Sequence, residues 1–478
     1  MPILASFMVP HPPMIVPAVG RGSEKQVLAT TQAYQQVARE IASLQPDTIV
    51  ITSPHATLYN DYFHISPGKK ARGSFSYFRA PDVRFTETYD EDLVEKISEL
   101  AYQDGFAAGT LGEREPDLDH GTMVPLYFIE QEYKDFRLVR IGLSGLPLTD
   151  HYRLGMYIAS AAKELSRNVV LVASGDLSHK LQEYGPYGFA KEGPQYDARI
   201  MDVMGRGAFG ELLDFDADFC DKAAECGHRS FVIMAGAWDG RKVKATPLSH
   251  QDVTGVGYGI CTFYPETTSS RESDDLSSDA AVDPDRQFLK IHLAAKEQAL
   301  SDKAARSDAY VRLARMTIEQ YVKNGKKPSV AELPDLPSEL LSRRAGAFVS
   351  IHEHGQLRGC IGTIGPTARN LAQEIVNNAV SASTRDPRFD PIREDELPWL
   401  EINVDVLGEP EEIDSEEQLD VKRYGVIVST RDGRRGLLLP DIEGVDDVES
   451  QVKIAMHKGG IQPHEKYYLQ RFEVVRHT

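Results

Sequence analysis

The segment 267–286, TTSSRESDDLSSDAAVDPDR, limits every fold this chain can adopt. It is dominated by Ser, Asp and Thr and contains no aromatic residue. Such a stretch cannot bury enough apolar surface to offset the entropy of ordering it, so no core runs through it. We therefore expect a disordered acidic linker over residues 265–286, separating a domain of residues 1–264 from one of residues 287–478. The length of 478 residues agrees, because a single hydrophobic core stops growing well before that.

The two sides of this segment differ in periodicity. Before it, short apolar runs rich in β-branched residues alternate with longer amphipathic stretches, the pattern of an α/β domain with a central sheet flanked by helices. After it come helical segments over 287–300 and 310–322, then paired strands in AFVSIHEHGQLRGCIGTI, where His354-Gly355 has the chemistry of a hairpin turn. That is an α+β domain. The N-terminal MPILASFMVPHPP has no basic residue ahead of its apolar run and is broken by prolines, so it reads as a buried strand and not as a signal peptide. No run is long enough for a membrane span, and the formal charge of -19 disfavours a polyanionic partner, so neither membrane nor nucleic acid is expected. The four cysteines form no CxxC pair and are too few to staple a chain of this size, which suits a reducing cytoplasm.

In the first domain, His11, His55 and His179 follow apolar runs that read as strands, PILASFMVP, DTIVITSP and NVVLVASGDLS, while His120 stands just ahead of a helix in LDHGTMVPLYF. In open α/β sheets ligands bind beyond the carboxyl ends of the strands, so these imidazoles are expected to converge there. A lone histidine after a strand is ordinarily a loop residue; several in the same context point to a metal. The carboxylate such a site needs is Glu225 in KAAECGHRSF, whose bland role is a solvated glutamate at a helix start. Asp176, in SGDLSH, would either orient His179 or cap the following turn.

Taken in order, VPHPPMIVP, SPHAT, LDHGTMVPL, SGDLSH and ECGHRSF resemble the LigB-type class III extradiol dioxygenases, most of all their Memo-like branch. The resemblance implies that His11, His55 and Glu225 hold ferrous iron, Fe(II), with His179 as acid/base and His120 near the substrate. It also makes Cys226 the alternative third ligand, and a thiolate there favours softer metals such as copper or zinc. The implied reaction is opening of a small catechol-like aromatic substrate by dioxygen. The alternative is a metal-binding scaffold, or a modification or redox protein, that has lost ring cleavage.

In the second domain, Gly359 and Gly362 bracket Cys360 in LRGCIGTI. Glycines inside a strand mark close approach of another group, which would put the cysteine on the floor of a cleft; the alternative is a packed, inert thiol. With TRDPRFDPI, GRRGLLLP, HKGGI and KYYLQRFEV, this motif resembles the AMMECR domain, and the whole chain resembles a fusion from the AmmeMemoRadiSam system, which implies a radical-SAM protein partner. We expect Arg358, Cys360, Asp386, Arg388 and Arg435 around the cleft, the arginines binding an anionic group; Asp386 and Pro387 alone would also make a structural turn. Because few contacts should cross the linker, limited proteolysis is expected to cut first between Pro265 and Arg286 and to release two folded pieces. Recovery of a single folded piece by mass spectrometry would show that one domain depends on the other.

Overall fold

A computed structural model describes residues 2–266, 282–332, 336–442 and 444–478. Most of the expected linker, residues 267–281, lies outside the described residues. The chain divides into two compact units, Met1–Leu293 and Ala294–Thr478. The first unit extends beyond residue 286 because Asp283 and Arg286 exchange backbone hydrogen bonds with Gly240, and Leu289 is buried in that unit's core.

The main sheet of the first unit contains β1 (Ile3–Val9), β2 (Thr48–Ser53), β3 (Arg137–Gly142), β4 (Val169–Ser174), β5 (Val243–Gln251) and β6 (Tyr258–Pro265), in the order β3-β2-β4-β1-β6-β5. Strands β1 to β4 are parallel, and the last two pair antiparallel. Parallel strands covered on both faces read as unbroken apolar runs, which is why TIVITS and VVLVAS show no alternation although every residue in them is buried. Ile49 and Ile51 enter one core, with the helices Leu28–Leu44 and His120–Glu132; Val50 enters the other, with Leu148–Glu164 and His228–Gly236. Each such side chain contributes about 1.5–3 kcal/mol on burial. Trp238 is fully buried, and its indole donates to Ser6 Oγ on β1 at 2.7 Å, so its polar atom is satisfied.

The second unit is α+β, as its periodicity indicates. Its antiparallel sheet contains β7 (Ala347–Glu353), β8 (Gln356–Gly362), β9 (Leu400–Leu407), β10 (Glu411–Ile413), β11 (Tyr424–Ser429), β12 (Arg435–Leu438) and β13 (Tyr468–His477). The order is β8-β7-β9-β13-β11-β12, with β10 paired to β13. The hairpin turn falls at His354-Gly355, both with positive φ, between the paired Glu353 and Gln356. Helices Ala309–Asn324 and Leu371–Thr384 cover one face of β7 and β9, and Val448–Lys458 packs on β11 and β12. Among the described residues no helix is long and apolar enough to cross a membrane.

One buried group in the helix that carries His120 has a measurable consequence. Burial first, and the Glu87 carboxylate second, push the carboxyl of Glu130 up to about 8. The folded protein thus keeps a proton that the unfolded chain releases near 4.5, and stability falls as pH rises from that value toward 8. Glu130→Gln should flatten this slope and raise stability at the alkaline end, read by urea unfolding at several pH values; an unchanged slope would remove Glu130 as its source.

Candidate metal centre

Three adjacent parallel strands, β2, β4 and β1, end at the same edge of the first unit's sheet. Val9 on β1 stands beside Ser174 on β4, and Thr52 on β2 beside Ala173, so the turns carrying His11, His55 and Asp176 leave the sheet together. His11 is buried, and its Nδ1 lies 3.0 Å from Ser174 Oγ, which itself lies 2.6 Å from the Gly121 carbonyl. A serine has one proton to give, so with that proton on Gly121 the hydroxyl accepts from Nδ1–H. This fixes the tautomer and leaves a lone pair on Nε2 of His11. His55 Nε2 lies 3.1 Å from that atom, and Cys226 Sγ lies 3.7 Å from it.

The ligand atoms of His11, His55 and Cys226 all fall within 4.8 Å of one another. Metal–nitrogen and metal–sulfur bonds of about 2.0–2.1 and 2.3 Å place tetrahedral nitrogen–nitrogen and nitrogen–sulfur pairs about 3.3 and 3.6 Å apart, so this donor set fits a single ion. Cys226 reaches it because Gly175 and Gly227 meet backbone to backbone: a Cβ on Gly175 would stand 2.0 Å from Gly227 Cα. The same approach lets Asp176 N donate to Cys226 Sγ at 3.3 Å.

Glu225, expected as the third ligand, is engaged elsewhere. Its Oε2 accepts from His228 N at 2.6 Å, capping the helix His228–Gly236, and burial pushes its carboxyl up to about 7. Consecutive side chains in this tight turn point different ways, and the turn sends the cysteine to the histidines and the carboxylate to the helix start. The Asp176 carboxylate interacts electrostatically with His179 and also ties two elements together. Its Oδ1 accepts from His11 N at 2.7 Å, tying the end of β1 to the turn after β4.

His120 completes a cluster of rings, with centroids 4.0 Å from His55 and 5.4 Å from His11. Burial, then His55 and His11, push its pKa down to about 3; burial and His55 hold His11 well below the usual histidine range. These imidazoles are neutral near pH 7, the form that can ligate a metal. Asp119, which sequence reasoning passed over, accepts from Ser53 Oγ at 2.5 Å and from Thr122 N at 3.0 Å, so it locks the helix start to the end of β2. Its neighbour Arg140 is fully buried and donates to Ser66 Oγ, Asp117 O and Glu115 O, holding the loop that delivers His120. An Asp directly before a helical His is a cap signal legible in the sequence; a buried Arg in an apolar strand is not. His179 sits in the turn after β4, with its Nδ1 buried and without a hydrogen-bond partner, and its ring is 5.1 Å edge-on from Tyr187. Phe78 stands 5.4 Å from His120.

In the second unit three of the expected cleft residues, Cys360, Asp386 and Arg388, come together and the other two do not join them. Cys360 N donates to Asp386 Oδ2 at 2.9 Å, and Arg388 Nη2 donates to Cys360 O at 3.2 Å, so Asp386 and Arg388 satisfy the open edge of β8 as a further strand would. Arg358 instead forms an ion pair with Glu396 at 2.8 Å and donates to Asp390 O. Arg435 is exposed on β12, at the opposite end of the strand order. The glycines have a different reason from the expected one: a Cβ on Gly359 would stand 2.3 Å from Ala382 O, and one on Gly362 2.2 Å from the Phe348 ring. The close approach is the protein's own packing.

Residues 5–261 match the family model described as the catalytic LigB subunit of aromatic ring-opening dioxygenase, and residues 311–477 match AMMECR1. Protein CA_C1420 of Clostridium acetobutylicum is 39% identical over 491 residues, covering 98% of each chain. A protein of Thermotoga maritima is 51% identical over 170 residues, covering 35% of this chain and 96% of its own. The crystal structure of the uncharacterized protein PH0010 from Pyrococcus horikoshii is 32% identical, with a TM-score of 0.32, and covers 35% of this chain and 88% of that one. Together with the fold of each unit, the two matched segments and the full-length relative show that this chain belongs to the LigB family, as a fusion of a LigB domain with an AMMECR domain.

Proposed function

We propose that the first unit is a metal-dependent oxidoreductase whose ion is held by His11, His55 and Cys226, and that its substrate is a small aromatic molecule of catechol type that reacts with dioxygen. The observation that carries this reading is the convergence of two imidazole nitrogens and one sulfur within 4.8 Å at the carboxyl ends of adjacent parallel strands. What a redox-active ion such as iron supplies there, when bound, is passage of electron density between a catecholic substrate and dioxygen. The chain's own residues do the rest. His179 is the proton carrier: its buried, unpartnered Nδ1 takes the proton of a substrate hydroxyl and returns one to the product. His120 stands beside both ligand histidines and orients the substrate, while Phe78 and Tyr187 offer ring edges and faces to a planar molecule.

The sulfur favours a second reading. With Cys226 in the place of a carboxylate the site suits copper or zinc, and the unit would then act as a metal-binding scaffold or modification protein alongside a radical-SAM partner.

Metal analysis of the anaerobically purified full chain decides between them. A single ion per chain is expected, lost in His11→Ala, His55→Ala and Cys226→Ser and kept in Glu225→Gln. His179→Gln should keep the metal and lower catechol-dependent oxygen uptake by about two to four orders of magnitude. Copper or zinc with no oxygen uptake on any catechol selects the scaffold; unchanged metal content in both histidine variants contradicts the site.

A further inference from the structure

The register of the second unit gives Cys360 neighbours that no local motif announces. Cys360 on β8 pairs with Ser350 on β7, and Ser350 pairs with Asn403 on β9. Two residues along β9, Asp405 pairs with Arg476 on β13. Directly paired residues share a face, as do residues two apart on one strand. Cys360, Ser350, Asn403, Asp405 and Arg476 therefore lie on one face of the sheet, opposite Val349 and Val404, which point into the core. Cys360 Sγ lies 3.2 Å from Ser350 Oγ. Arg388 joins from the loop along the edge of β8, and both its guanidinium and that of Arg476 interact electrostatically with the thiol, after their stronger interactions with Asp386 and Asp405.

Each arginine is fixed by a buried carboxylate. Arg388 Nε and Nη2 bond Asp386 at 2.9 and 2.7 Å, and Arg476 Nε and Nη2 bond Asp405 at 2.8 and 3.1 Å. The two aspartates are 2% and 3% exposed, while the arginines are 54% and 43% exposed. Pairing through Nε and Nη2 leaves the Nη1 group of each guanidinium without a bond to its aspartate, so two cationic donors are held in place before any ligand arrives. Asp441 also interacts electrostatically with Arg476, more strongly than Cys360 does. The arrangement combines fixed hydrogen-bond donors for an anion with the Cys360 thiol.

We propose that Cys360, Ser350, Arg388 and Arg476 form a second site in this protein, which holds a small oxyanion-bearing electrophile through the two guanidiniums and presents the Cys360 sulfur to its electrophilic carbon. In the covalent step the thiol proton passes to solvent, the sulfur electron pair forms the carbon–sulfur bond, and the leaving group departs with the electrons of the bond it breaks.

Two alkylating reagents that differ in charge test this on the native full chain at pH 7. With iodoacetate, an anion, or iodoacetamide, which is neutral, the sulfur displaces iodide, and peptide-resolved mass spectrometry reads the rate at Cys360 alone. The ratio of the iodoacetate rate to the iodoacetamide rate should exceed that of the urea-unfolded chain by about tenfold, the low end of rate gains from a local field. Arg388→Gln and Arg476→Gln should each lower the ratio. Since either variant leaves a buried aspartate without its partner, a second arm keeps the unaltered chain: millimolar inorganic phosphate should slow iodoacetate more than iodoacetamide. A native ratio equal to the unfolded one, equal or absent slowing by phosphate, or no labelling of Cys360 before unfolding would each overturn the proposal.

Discussion

The parallel register of β1 and β4, with Val9 beside Ser174, is the constraint on which the candidate metal centre rests. It places the serine hydroxyl against Nδ1 of His11, which fixes the tautomer and turns Nε2 toward His55. A slip of one residue would carry Ser174 to the other face of the sheet and leave a buried imidazole without its partner. Burial of β1, β2 and β4 on both faces makes such a slip costly, since every apolar side chain in them would change cores. The packing of the sheet and the orientation of the ligands are thus one interaction seen at two scales.

The chemistry then turns on a single position. Glu225 and Cys226 are neighbours, and which of them faces His11 decides between a carboxylate site, suited to iron, and a thiolate site, suited to softer ions. Backbone contact sets the reach of both side chains. Gly175 and Gly227 touch, the turn after β4 lies against the turn before the helix His228–Gly236, and the sulfur falls within reach of the histidines while the carboxylate caps the helix.

The histidines were legible because each is tied to an element terminus: strand ends carry His11 and His55, and a capping aspartate precedes His120. The α/β and α+β characters of the two units were legible from period alone, and so was the hairpin at His354-Gly355. The approach of Cys226 to His11 was not, since it depends on contact between Gly175 and Gly227, which are far apart in the sequence. Nor was the placement of Arg476 on the face of Cys360, because it passes through three strand pairings, none of which leaves a local trace. Arg358 and Arg435 looked equivalent to Arg388 in the sequence; one forms an ion pair with Glu396 and the other lies on the far edge strand.

A sulfur, and not a carboxylate, is expected to complete the donor set around His11 and His55. X-ray absorption at the edge of whichever metal copurifies with the full chain reads this directly. The structure predicts one sulfur neighbour at about 2.3 Å beside two imidazole nitrogens at about 2.0–2.1 Å, with the sulfur contribution absent from Cys226→Ser. A shell made only of nitrogen and oxygen in the unaltered protein would contradict it and return the third position to Glu225.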